Sequence, residues 1–127
     1  MERLLWISLG GAVGSAGRYL LTGWVLRALG TGFPWGTLAV NAAGSLLLAA
    51  IAHVGLTTEW LSPNTRLTLT IGVLGGFTTY STFSYETLGY CQEGAWALAG
   101  MNAVANLGLC LVASFAGFLA ARWWVGA

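Results

Sequence analysis

Long apolar runs broken by short polar links predict four helices of membrane-spanning length, over about 4–29, 35–55, 65–90 and 95–124. Each exceeds the roughly 20 residues that a helix needs to cross a hydrocarbon core. Gly30, Gly32 and Pro34 close the first run, and the link from Thr57 to Pro63 separates the second from the third. The third run is interrupted. Gly75-Gly-Phe-Thr-Thr-Tyr-Ser-Thr-Phe-Ser84 carries six hydroxyl side chains and two glycines in ten residues, a composition that neither propagates a helix strongly nor dissolves easily in lipid. Backbone freed from its helix at that depth needs partners from protein or from water in a lined cavity, so the segment predicts a pathway through the membrane.

Composition sharpens this reading. The 127 residues are 57% hydrophobic and 7% charged, whereas soluble domains have about a quarter of their residues charged. The expected fold is therefore an all-α membrane protein, a single transmembrane domain with its third helix broken near the middle. Four helices fill the length and leave no room for a soluble domain. No small-residue cleavage site follows the first run, which is read as a mature helix. With no aspartate, no lysine and one histidine, a catalytic constellation is hard to assemble and an enzyme is not expected. Cys91 and Cys110 lack the spacing of a metal site or a disulfide framework.

Small residues recur four apart at Gly10 and Gly14 and at Gly72 and Gly76, the spacing that lets membrane helices approach closely. Tryptophans 6, 24, 35, 60, 96, 123 and 124 fall mostly near the predicted helix ends, at headgroup level. An even number of helices puts Arg3, Arg66 and Arg122 on one side and Arg27 on the other, with Arg18 embedded. Orientation follows such Lys and Arg asymmetry, and three against one is a small bias that permits insertion both ways. The chain has no internal repeat, and transport pathways often form between inverted repeats. Two oppositely oriented copies would supply that symmetry, so an antiparallel, dual-topology homodimer is expected.

Polar residues inside the runs are the candidate chemistry. Asn41 lies in the second helix with Thr37 a turn before and Ser45 a turn after; its two N–H donors suit an anion or a neighbouring helix. Asn102, Asn106, Cys110 and Ser114 follow at intervals of four along one face of the fourth helix, where they either line a path or bond across packed helices. Tyr80 and Phe83 share a face, and aromatic ring edges attract anions weakly without formal charge. Gly75 and Gly76 would let the third helix break and leave carbonyls around Gly75 and Thr78 to coordinate a hard cation. Arg18 and Glu86 are embedded charges and functional candidates; Glu86, near a helix end, reads better as snorkelling or pairing. His53 reads as interfacial.

The segment from Gly75 to Ser84 with Glu86 closely resembles the signature of the Fluc/CrcB family of fluoride channels. Gly10-Gly-Ala-Val-Gly-Ser-Ala-Gly-Arg-Tyr19 resembles the family's first-helix motif, and Gly36-Thr-Leu-Ala-Val-Asn41 with Gly44 its second. The resemblance implies a passive, selective fluoride channel in the cell's inner membrane, with several passes per chain, that relieves fluoride toxicity. It also implies an antiparallel dimer with two pores and one buried structural sodium ion, which is not transported. Family sodium ligands map to the main-chain carbonyls of Gly75 and Thr78. Pore positions map to Asn41, Tyr80, Ser81, Thr82 and Phe83, and Ser114 would extend the polar track. Partners would be fluoride, lipid and a second copy, with no nucleic acid. Tyr80 departs from the family's usual phenylalanine, adding a donor and acceptor to a polarised ring edge. The competing readings are a small proton-coupled multidrug exporter, which needs an embedded carboxylate early in the first helix, and a structural subunit. Here Glu2 is terminal and Arg18 is the embedded charge of that helix.

Overall fold

In a computed structural model that describes residues 1–127, the chain is entirely helical, and the third of its four helical passes is broken. The order is α1 (Glu2–Leu29), α2 (Trp35–Thr57), α3 (Pro63–Leu67), a π-helical turn (Thr68–Val73), α4 (Leu74–Phe77), α5 (Tyr80–Gln92) and α6 (Trp96–Val125). The third pass therefore comprises α3, the π turn, α4 and α5, with Thr78 and Thr79 extended between the last two. The observed limits differ from the predicted ones by at most two residues. The third pass starts at Pro63 because Ser62 caps it, its Oγ accepting from the Thr65 amide at 3.1 Å ahead of a proline that has no N–H to lose. Gly30 closes α1 at φ 85°, and Gly94 turns the chain from α5 into α6 at φ 73°, both in the left-handed region that favours glycine.

Burial is inverted relative to a water-soluble protein. The buried apolar residues are few and mostly small, among them Val40, Ala99 and Ala121, while Leu5, Leu9, Val13, Leu107 and Val112 are all at least 60% exposed. Such a surface is stable only in lipid or against another chain. Two helices, α2 and α6, are each long and apolar enough to cross a membrane by themselves. α1 has the length, but its arginines lower its hydropathy.

Glycine sets how closely the passes approach, as small residues do where lipid gives no hydrophobic drive to associate. α2 and α6 form the most extensive pair, and a Cβ on Gly117 would overlap the Leu46 carbonyl. α1 lies against the π turn and α4 through both predicted glycine pairs. A Cβ on Gly14 would overlap the Val73 carbonyl, one on Gly72 would come within 2.7 Å of the Ile7 carbonyl, and one on Gly76 within 2.5 Å of the Gly11 carbonyl. This placement corrects one expectation. Gly75 and Gly76 do not break the third helix but sit inside α4, and Gly76 serves the contact with α1. The break follows at Thr78 and Thr79.

Candidate functional site

The break is held open by a side chain from another helix. Asn41 of α2 clamps the Thr79 peptide on both sides: its Oδ1 accepts from the Thr79 N–H at 2.8 Å and its Nδ2 donates to the Thr79 carbonyl at 3.1 Å. In an unbroken helix the Thr79 amide would bond the carbonyl of Gly75. Asn41 takes that amide, and Gly75 loses its helical donor. Thr79 repeats the device one step on, because its Oγ1 caps α5 by accepting from the Thr82 amide at 3.2 Å, the group that would have bonded the Thr78 carbonyl. The Gly75 and Thr78 carbonyls are thereby released, as are those of Gly76 and Phe77, whose helical donors would have been the Tyr80 and Ser81 amides. The Thr78 carbonyl has a long contact to Arg18 Nη1, at 3.4 Å, and a carbonyl oxygen has a second lone pair. Gly75 is exposed on the protomer's surface. Freed carbonyls of one chain, with Gly75 at the exposed surface, suit a hard cation that completes its oxygen shell elsewhere.

Asn41 is itself held. Its Nδ2 also donates to Asn106 Oδ1 at 3.2 Å; Asn106 Nδ2 donates to Asn102 Oδ1 at 2.8 Å, and Asn102 Nδ2 to Thr87 Oγ1 at 3.0 Å. The Thr87 hydroxyl returns to the Phe83 carbonyl at 2.8 Å. Asn102 and Asn106 are buried, so this part of the α6 row bonds across packed helices instead of facing a path. Ser114 donates to the Ser45 carbonyl at 3.4 Å, and Cys110 between them is half-buried.

α5 begins at the break and brings the aromatic pair together. Tyr80 and Phe83 meet edge to face, with ring centroids 5.6 Å apart. Tyr80, Ser81 and Thr82 are exposed, and Tyr80 is 79% so. Thr82 Oγ1 accepts the Thr79 hydroxyl at 2.8 Å, which leaves its own hydrogen to donate. The positive end of the α5 dipole and its first-turn amides lie at the same place, a setting that favours an anion.

A polar cavity of about 660 Å³ between α1, α2 and α5 leads to this point, lined by Arg18, Arg27, Thr37, Thr79, Thr82 and Glu86 among others. Glu86 stands mid-helix in α5 and accepts the Thr37 hydroxyl at 2.6 Å. Its partner is thus a hydroxyl of α2, and it stands at the middle of α5 instead of near a helix end. His53 packs edge-on against Phe118 at 5.0 Å, with its Nε2 buried and without a hydrogen-bond partner, and belongs to the α2–α6 contact.

The family model described as CrcB-like protein, Camphor Resistance (CrcB), matches residues 5–118. The chain belongs to the CrcB family. It is 52% identical over 126 residues to a protein of Anaeromyxobacter sp. (strain K) named Fluoride-specific ion channel FluC, covering 99% of this chain and the whole of that one. Relatives of the same name from Geobacter sulfurreducens and Sorangium cellulosum are 50% and 49% identical over 122 residues, covering 96% of this chain and 98% and 96% of their own lengths.

In this CrcB chain, Asn41, Thr78, Thr82, Arg18 and Glu86 converge around one break, with Tyr80, Ser81 and Phe83 on the helix that leaves it. Ser114 stands apart, bonded to α2. Sequence reasoning missed Thr79, which caps α5 and is clamped by Asn41. A threonine three residues before Thr82, at the start of a polar helix, is a capping signal that could have marked it.

Proposed function

We propose that this protein is a passive fluoride channel that lets the anion leave the cytoplasm, and that the start of α5 forms the narrow part of its path. The relatives' name supports the identity of the ion. The path itself is carried by one observation: Tyr80, Ser81 and Thr82 stand exposed on a helix that starts inside the membrane-spanning part of the chain. Lipid is a poor solvent for hydroxyls, and a pore shared with a second copy satisfies them.

Fluoride is small and tightly hydrated, so it sheds water only where donors replace water, while larger chloride gains less from the same narrow lining. The donors here are neutral: the Ser81 and Thr82 hydroxyls, the positive ring edges of Tyr80 and Phe83, and the amide end of α5. Neutral donors hold an anion loosely enough for it to leave, as conduction requires. Asn41 has both amide hydrogens engaged and serves the pore by fixing Thr79, hence the direction in which α5 sets off. Ser114 would continue the polar wall along α6. Each elementary charge crossing an inside-negative membrane gains about 2.3 kcal/mol per 100 mV, so export needs no coupled ion.

The protein would act as an antiparallel homodimer of multi-pass chains in the cell's inner membrane. A second copy inserted the other way would cover the exposed face of α5 and bring a second set of freed carbonyls to the first. The carbonyls of Gly75 and Thr78 would then hold a structural sodium ion, whose fixed charge supplies attraction for anions nearby. A proton-coupled drug exporter fits less well, since two guanidiniums line the cavity that a cationic drug would enter.

The deciding experiment is efflux from liposomes containing the purified protein, read with a fluoride electrode and with chloride as control. Electrogenic fluoride release without chloride release is expected; its absence would overturn the reading. Phe83→Ala should lower fluoride flux at least tenfold while the dimer still forms, and unchanged flux would remove Phe83 from the pore.

A further inference from the structure

Arg27 closes α1. Side chains on a helix lean toward its N-terminus, and Arg27 follows that lean: its Nη1 lies 3.7 Å from where a Cβ on Gly23 would stand. The guanidinium is laid back over a glycine one turn earlier, toward the polar cavity it helps to line. Arg18 lies nine positions before it on the same helix, about 14 Å along the axis, and reaches the Thr78 carbonyl at the inner end. The cavity's lining includes one carboxylate, Glu86, whose hydrogen-bond partner is the Thr37 hydroxyl and neither guanidinium. Two positive charges against one negative leave the cavity biased toward anions.

We infer that Arg27 is the recruiting charge of the permeation path, a fixed cation at the cavity's outer end that concentrates small anions ahead of the neutral-donor segment. This rests on the channel reading above and adds a division of labour to it. A charge placed in the narrow part would hold an anion too long, whereas a charge at a wet mouth raises the local concentration and leaves the ion free to move on. Discrimination between fluoride and chloride stays with the hydroxyls and ring edges, because a point charge attracts both alike. In water, one unit charge about 7 Å from the ion's route raises the local anion concentration about threefold. The effect fades as salt shortens the screening length from about 30 Å at 0.01 M to about 3 Å at 1 M.

The test is single-channel or liposome fluoride flux for Arg27→Gln, Arg27→Glu and Arg27→Lys across ionic strength. At about 0.01 M, the glutamine variant should conduct about twofold less than the parent and the glutamate variant about fivefold less. Lysine should restore the parental rate. At about 1 M all four should agree, with fluoride over chloride selectivity unchanged throughout. Parental flux in Arg27→Gln at low salt would overturn the inference. So would a deficit of the same size at every salt concentration, or equal losses with glutamine and glutamate, since those mark a structural role at the helix end. If the parent itself carries no fluoride, the channel reading fails; if it conducts and only the salt pattern is missing, the role of Arg27 alone fails.

Discussion

Replacing Asn41 with alanine should close the break in the third helix, and the cost can be worked from its bonds. The side chain makes two hydrogen bonds to the Thr79 backbone, at 2.8 and 3.1 Å, and one to Asn106, at 3.2 Å. Thr79 is 7% exposed, so its N–H and C=O lose their partners where water is scarce, at about 1–2 kcal/mol each. The bond to Asn106 adds about 1 kcal/mol. Together, about 3–5 kcal/mol of the native state's stability depends on one amide. One relaxation lowers that cost: the Thr79 N–H can return to the Gly75 carbonyl and continue α4 by another residue. That rescue removes a released carbonyl and redirects the start of α5. Asn41→Ala should therefore lose fluoride flux by more than its loss of stability explains, and should also lose any dependence of dimer stability on sodium. Unfolding in a mixed-micelle titration gives the first quantity and liposome efflux the second. Parental flux with a stability loss under about 1 kcal/mol would refute the clamp, because bonds of this number and burial cannot be lost at so small a cost.

The same geometry makes other outcomes checkable. Thr79→Val removes the α5 cap and should destabilise the fold by about 1–2 kcal/mol, while Thr79→Ser, which keeps the hydroxyl, should recover most of it in the same titration. Gly14→Val forces a side chain into the Val73 carbonyl and should prevent α1 from seating, read as loss of folded protein in detergent; Gly100→Ala, at a glycine with nothing within 4 Å, should be tolerated. Gly75→Val has room within the protomer, where the nearest atom to a new Cβ is 3.9 Å away. It should therefore fold as a protomer yet fail to dimerise or conduct, and normal dimerisation with normal flux would count against a cation site shared between copies.

The contrast between Gly75 and Asn41 shows what a single sequence can disclose about such a site. The hydroxyl-rich run marked the break because composition is local, and the paired glycines marked the α1 contact because a four-residue spacing is also local. The agent of the break was hidden. Thr79 and Asn41 are 38 positions apart, and nothing in the run from Gly75 to Ser84 says that its opening depends on an amide from α2. Glycine seemed the natural breaker, yet the helix runs through both Gly75 and Gly76, and Gly76, set against the Gly11 backbone, holds the helix close to α1 instead of ending it. The π turn at Thr68–Val73 left no readable mark either. Thr68 and Thr70 bond back to the carbonyls four residues earlier, at 2.8 Å each, which bends helices but does not predict the wider turn. A polar break inside a membrane is thus a property of two segments: one supplies backbone willing to leave the helix, and the other supplies the partner that makes leaving stable. In the proposed path, fluoride conduction would depend as much on the α2 amide that fixes the break as on the hydroxyls that line it.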